Sequence, residues 1–185
     1  MKVKVLSLWQ PWASLVAGRF KRSETRSWNT THRGILAIHA TKSEPRWVND
    51  LMNGRLHESN QLFWECLGRM GYEAFPQLPR GAVVALVELT SVFPTQQLRD
   101  GLKEQELAFG DWRPGRFAWA FSAVSRLSKP ISAAGRQGLW EWELPQELEA
   151  TLLIDCSPEG TCGWNCGQKR LSSASVSRCP HCHIG

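Results

Sequence analysis

Trp9, Gln10, Trp12 and Trp28 share residues 6–42 with Arg19, Lys21, Arg22, Arg26 and Arg33, and Glu24 is the one acid in that basic run. Aromatic faces stack on nucleobases, cations hold phosphates or base edges, and a carboxylate beside a lysine either reads a base amino group or moves a proton. The mixture points to a nucleic-acid or nucleotide pocket, weighed against a plainer basic, tryptophan-rich core edge. Trp9, Gln10, Trp12 and Trp28 are expected to shape the base pocket, Gln10 because its amide both donates and accepts. Lys21, Arg26 and Arg33 are expected to hold phosphate, with Glu24 orienting the cations or reading a base. His39, inside the apolar run ILAIHA, joins the set, although a histidine there is more often a satisfied core residue. If the chain is an enzyme, Lys21 and Glu24 are its acid–base pair; an ordinary Lys–Glu ion pair is at least as good a reading.

The charge distribution supports an anionic partner. Residues 1–46 carry nine Lys/Arg against two Asp/Glu, and residues 47–185 carry thirteen against fifteen. All the positive excess therefore lies in the first quarter, a local field that attracts a phosphate polymer, and the sequence pI of about 9.1 fits it. RNA, a single-stranded nucleic acid or a modified nucleoside is the expected partner. No apolar run reaches the roughly 18 residues needed to span a bilayer, and Met1–Leu8 alternates Lys with Val where a signal peptide would be uniformly apolar. No membrane partner and a cytoplasmic location are the corresponding expectations.

Five of the six cysteines crowd the last thirty residues. Cys179-Pro180-His181-Cys182 has the form of a zinc-knuckle turn, and Cys162 with Cys166 would supply the other thiolate pair. The expected cofactor is one structural zinc on Cys162, Cys166, Cys179 and Cys182, with Cys156, His181 and His183 as alternative ligands. Four thiolates leave no open position for catalysis. Such a tail would order through metal binding and could carry a protein partner.

These groups must be positioned by a single main core, which 185 residues with 42% hydrophobic content suffice to build. Lys2–Leu6 alternates as a first strand, Pro11 opens a short helix PWASLVAG that Gly18 ends, and Lys21–Trp28 suits a strand or ordered loop. Gly34 begins the strand ILAIHA, Glu44–Arg55 and Asn60–Gly71 read as a helical insertion, and Gly81–Phe93 is the strongest strand, with Glu88 expected to face outward. Thr95–Phe109 reads as helical, Arg116–Val124 and Gly138–Leu144 as strands. This order favours an α+β domain, a small mixed and partly closed β-barrel with flanking helices, over residues 1–148, followed by the cysteine-rich tail 149–185.

The motifs LSLWQPWASLV, KRSETRSW, HRGILAIHATK, GAVVALVEL, GRFAWAF and GLWEWEL resemble, in their order, the ASCH family of the PUA-like superfamily over residues 3–144. The family pattern of glycine, then lysine two residues on, an acidic or polar residue three later, and arginine is matched by Lys21, Glu24 and Arg26. Gly18 falls one residue early and Arg19 takes the glycine position, which reads as a one-residue insertion at the helix end. The resemblance implies a PUA-like β-barrel with a cleft beside this segment, and nucleic-acid binding, ribonuclease behaviour or N4-acetylcytidine hydrolysis. Its hydrolase branch has a threonine where this chain has Glu24, and a later glutamate to which Glu104 or Glu106 would correspond. The replacement favours RNA or nucleotide binding, with a metal-independent hydrolase using Lys21 and Glu24 as the alternative.

Overall fold

The computed structural model describes residues 1–53 and 60–149. In chain order the elements are β1 (Lys2–Leu8), α1 (Trp12–Ala17), β2 (Ser23–Arg26), β3 (Gly34–Ala40), α2 (Arg46–Met52), α3 (Gln61–Arg69), β4 (Ala82–Pro94), α4 (Thr95–Leu98), α5 (Glu104–Ala108), β5 (Phe117–Ser132) and β6 (Leu139–Glu143). One six-stranded sheet runs β2-β5-β4-β3-β1-β6. Only β1 and β3 pair in parallel; every other neighbour is antiparallel.

The fold is α+β as the residue pattern predicts, but the sheet does not close into a barrel. The terminal strands β2 and β6 are not neighbours. The physical reason lies at β1, whose residues Lys2–Leu6 pair with β6, leaving Ser7 beyond the ladder on that edge. The Ser7 carbonyl there accepts Arg26 Nη2 from β2 at 2.9 Å. A side chain thus spans the seam between β2 and β1, strands that stand four places apart in the sheet.

Three apolar clusters hold these elements. Leu6, Leu36, Ile38, Val87 and Trp119 pack on one side of the sheet with Ala13, Val16 and Ala17 of α1. Val3, Val5, Ala37, Leu86 and Trp140 pack in a second cluster that also takes Leu127 and Leu144. Leu15 of α1 belongs instead to the helical cluster of Val48, Met52, Phe63, Leu67 and Phe109. Helix α1 therefore joins the helical insertion to the sheet, because its short apolar run is buried all round.

β5 runs eight residues past the expected Val124 end, through the polar stretch SRLSKPIS. Pro130 is tolerated because the ladder with β4 jumps from Ala85–Arg126 to Val83–Ile131, a bulge that needs no N–H from it. Glu88 is half-buried and accepts the Ser122 hydroxyl at 2.6 Å. Cys162, Cys166, Cys179 and Cys182, with their alternatives, lie outside the described residues. Among the described residues no cluster of three metal-ligating side chains occurs, and no helix is long and apolar enough to cross a membrane.

Candidate functional site

The chain leaves α1 through Gly18 and Arg19. A Cβ at Gly18 would overlap the Met70 sulfur and the Phe20 ring, so a side chain there must displace them, whereas its φ of −83° suits any residue. Arg19 has φ of 63°, a left-handed conformation that costs a residue with a Cβ about 1–2 kcal/mol. Its guanidinium donates through Nε and Nη2 to the Val124 carbonyl at 3.1 and 2.7 Å, which offsets part of that cost. Arg19 thus adopts the backbone geometry that glycine favours, two residues before Lys21, and the expected insertion is not needed to explain Gly18.

Lys21 comes next and is fully buried. Its Nζ donates to the Phe109 carbonyl at 2.9 Å and lies 3.7 Å from Glu24 Oε2. Burial pushes its pKa below the usual lysine value, opposed by the nearby charges of Glu24 and Glu106. Glu106, on α5, accepts the backbone N–H of Arg22 at 2.9 Å and of Ser23 at 2.8 Å. Its carboxylate therefore fixes the entry to β2. Gln105 adds a bond from Nε2 to the Phe20 carbonyl at 2.6 Å. Along β2 burial then alternates, with Ser23 and Thr25 inward and Glu24 and Arg26 partly exposed, as extended geometry dictates. Lys21 reaches Glu24 because it precedes the strand, in the turn where its N–H bonds the Leu15 carbonyl.

Glu24 and Arg26 project into a cleft of about 1320 Å³ along the open seam of the sheet. Glu24 Oε1 is 3.2 Å from Arg26 Nε, and Asp111 Oδ2 is 3.4 Å from Arg116 Nε. Both Nε atoms are buried and neither makes an aligned hydrogen bond. Their guanidinium groups are held by Nη2 bonds to the Ser7 and Thr25 carbonyls. Arg113, bonded to Asp111 at 2.6 and 2.8 Å, with Arg116 beside it, holds the Asp111 carboxyl down at about 2. This centre presents fixed donors and acceptors together, a pattern suited to base edges. Lys42 and Arg136 are exposed at the margin of the cleft, where cations suit phosphates.

Aromatic rings line the cleft in two places. Trp9 and Trp47 are 43% and 52% exposed and meet edge to face at 5.9 Å. Trp12 supports Trp47 at 5.9 Å and donates its indole N–H to the Phe109 carbonyl at 2.9 Å. Trp28 meets the buried Trp119 in an edge-to-face pair at 4.6 Å.

The remaining wall, residues 133–138, is anchored through His39. The Ala133 carbonyl can only accept, so His39 Nε2, 3.1 Å away, carries a proton. Nδ1 lies 3.2 Å from Ser7 Oγ, which also accepts the Trp140 indole N–H and reaches the Arg136 carbonyl at 3.0 Å. Gly135 packs against the His39 ring with no room for a Cβ. Burial lowers the His39 pKa, and the bond to Ala133 opposes that shift.

Of the expected site residues, Trp9, Trp12, Glu24, Arg26, Trp28 and His39 line this cleft. Three others stand elsewhere. Gln10 is buried, with Nε2 on the Pro79 carbonyl at 2.7 Å and its oxygen accepting the Ser14 N–H of α1, so both ends of its amide are engaged. Lys21 lies behind the wall that Glu24 forms. Arg33 is exposed and folds back, Nη1 donating to the Thr30 and His32 carbonyls. Glu106 binds backbone at the start of β2, and Glu104 is exposed on α5. Trp47, Arg116, Asp111 and Arg136 are lining residues that single-segment reading missed; Trp47 carried only a helical-periodicity signal.

The ASCH domain family profile matches residues 6–151. Activating signal cointegrator 1 of Homo sapiens is 35% identical over 97 residues, 51% of this chain and 15% of that protein. The same protein of Mus musculus is 34% identical over an equal span, also 15% of its length. The chain therefore corresponds to a small part of these relatives. Among solved structures, ASCH from Zymomonas mobilis has a TM-score of 0.46 and 16% identity, covering 82% of this chain and 94% of that one. Its S128A variant has a TM-score of 0.45 with the same identity and coverage.

Proposed function

Since the chain belongs to the ASCH family, we propose that the cleft beside its signature segment binds RNA or another single-stranded nucleic acid and recognises a base there. The observation that carries this reading is the order of chemistry across the cleft. Exposed or half-exposed tryptophans line it, the Glu24–Arg26 and Asp111–Arg116 pairs set acceptors beside donors, and the exposed Lys42 and Arg136 stand at its margin. Tryptophans stack bases whatever their identity, Glu24 and Arg26 read an edge, and the marginal cations hold the backbone.

Hydrolysis is the second reading, and Glu24 favours it, because its carboxylate reaches the cleft and is a base for water. Lys21 does not line that space, which leaves the proposed acid–base pair with one member on each side of the wall. Binding is therefore the better supported function.

Fluorescence anisotropy with labelled single-stranded RNA across a salt series tests it. Affinity should fall as salt rises, and replacing Lys42 and Arg136 together with alanine should reduce the slope of log K against log salt by about 1.4, roughly 0.7 for each lost phosphate contact. Absence of binding to any oligonucleotide at low salt overturns the reading. Release of product from RNA or an acylated cytidine, lost in Glu24→Gln, would establish the hydrolase instead.

A further inference from the structure

We propose that the cleft takes two successive unpaired bases of one strand, one at each of two aromatic stations, so that its ligand is a short single-stranded stretch and not a free nucleoside. This rests on the nucleic-acid reading above and specifies its ligand. The first observation is size. At about 1320 Å³ the cleft exceeds the roughly 300–1,000 Å³ typical of pockets that enclose one drug-sized molecule, and a single nucleoside leaves much of it to water.

The second observation is the separation of the rings by packing environment. Trp9 and Trp47 belong with the helical side, where Trp12 contacts both Trp47 and Phe63. Trp28 belongs with the sheet, perpendicular to Trp119. Scattered exposed aromatics are ordinary. Trp9 and Trp47 are not scattered: they touch at 81°, are each about half exposed, and line the same concavity. A base stacked on one ring meets the edge of the other, which accounts for two large apolar side chains remaining in solvent.

The third observation lies in the same cleft. Glu24, Arg26, Asp111 and Arg116 line it as two carboxylate–guanidinium pairs, Glu24 Oε1 3.2 Å from Arg26 Nε and Asp111 Oδ2 3.4 Å from Arg116 Nε, so acceptors and donors stand side by side. Such a strip suits the polar edges of unpaired bases. A duplex has its Watson–Crick edges already paired and offers only its groove edges. A strand with at least two bases free presents those Watson–Crick edges as well.

Titration of a mono-, di-, tri- and tetranucleotide series at fixed low salt tests the proposal, followed by anisotropy or calorimetry. The dinucleotide should bind roughly tenfold or more tighter than the mononucleotide, the scale of one added base stack, with smaller gains thereafter. A dinucleotide lacking one base should bind like the mononucleotide, which separates stacking from the added phosphate. Trp47→Ala should abolish the step, and Trp47→Phe should retain most of it with an unchanged melting temperature. Equal affinity for one and two nucleotides, or a step that survives Trp47→Ala, overturns the two-station site while leaving nucleic-acid binding standing. No binding at any length removes both.

Discussion

Residues 24–26 and residues 133–138 line the same cleft, yet buried charge ties down the first and neutral hydrogen bonds hold the second. On the β2 side Lys21, Glu24 and Glu106 are interlocked with backbone groups from α5 and the turn after α1. On the other side the loop is exposed from Ala134 to Gly138 and attaches through its Ala133 and Arg136 carbonyls to His39 and Ser7. Buried charged hydrogen bonds are costly to break, whereas few bonds on an exposed segment leave it near the low-stability end of the molecule. Under the proposed binding reading, Glu24 and Arg26 form the firmly held part of the cleft and the loop carrying Arg136 its less firmly held part.

Glu106→Ala should break the contrast most severely. It strands the N–H groups of Arg22 and Ser23 and removes one of the charges that oppose the burial of Lys21, so about 3 kcal/mol of stability should be lost in urea denaturation. A loss below about 1 kcal/mol would mean that β2 is not held by this carboxylate. Lys21→Met should cost less, about 1 kcal/mol by the same measurement. Each partner it leaves retains another: Trp12 still donates to the Phe109 carbonyl, and Arg26 still faces Glu24. Equal losses in the two variants would show that the charges act as one unit.

Acidity distinguishes the walls more gently. The folded pKa of His39 lies below its unfolded value of about 6.5. The folded chain thus binds fewer protons, and the His39 contribution is complete above that pH and is lost as pH falls through the lowered folded value. Wild type should lose stability as pH falls below about 6.5, and His39→Gln should flatten this slope. Asp111 acts in a separate window: its contribution is present above 3.8 and disappears as pH falls through about 2. Denaturation curves that coincide for wild type and His39→Gln across the upper window would contradict the assignment to the loop wall.

Much of this was readable along the chain where chemistry is local. The alternation in SETR, the run AVVALV and the burial of apolar residues in β3 follow from side-chain period alone. Gln10 was misplaced because its amide is consumed by Pro79, 69 positions away, and by a helix turn that cannot be weighed without that partner. Trp47 and Arg136 enter the cleft from α2 and from the loop before β6, and nothing in one sequence ties those segments to Trp9 or Ser7. Barrel closure was unreadable for a similar reason: strand content was evident, but the register that leaves Ser7 outside the β6 ladder is a property of pairing.

The Phe109 carbonyl, which receives both the Trp12 indole and the Lys21 ammonium, has an implication for mutational scanning. A main-chain oxygen survives every side-chain replacement at its own position. Alanine at 109 would remove a ring from the helical cluster and report a packing defect, while the junction between an aromatic station and the signature segment stayed intact. Tolerance at this codon would therefore say little about the importance of the atom it encodes, and scans that score positions by side-chain loss will overlook the point where two halves of the site are fastened together.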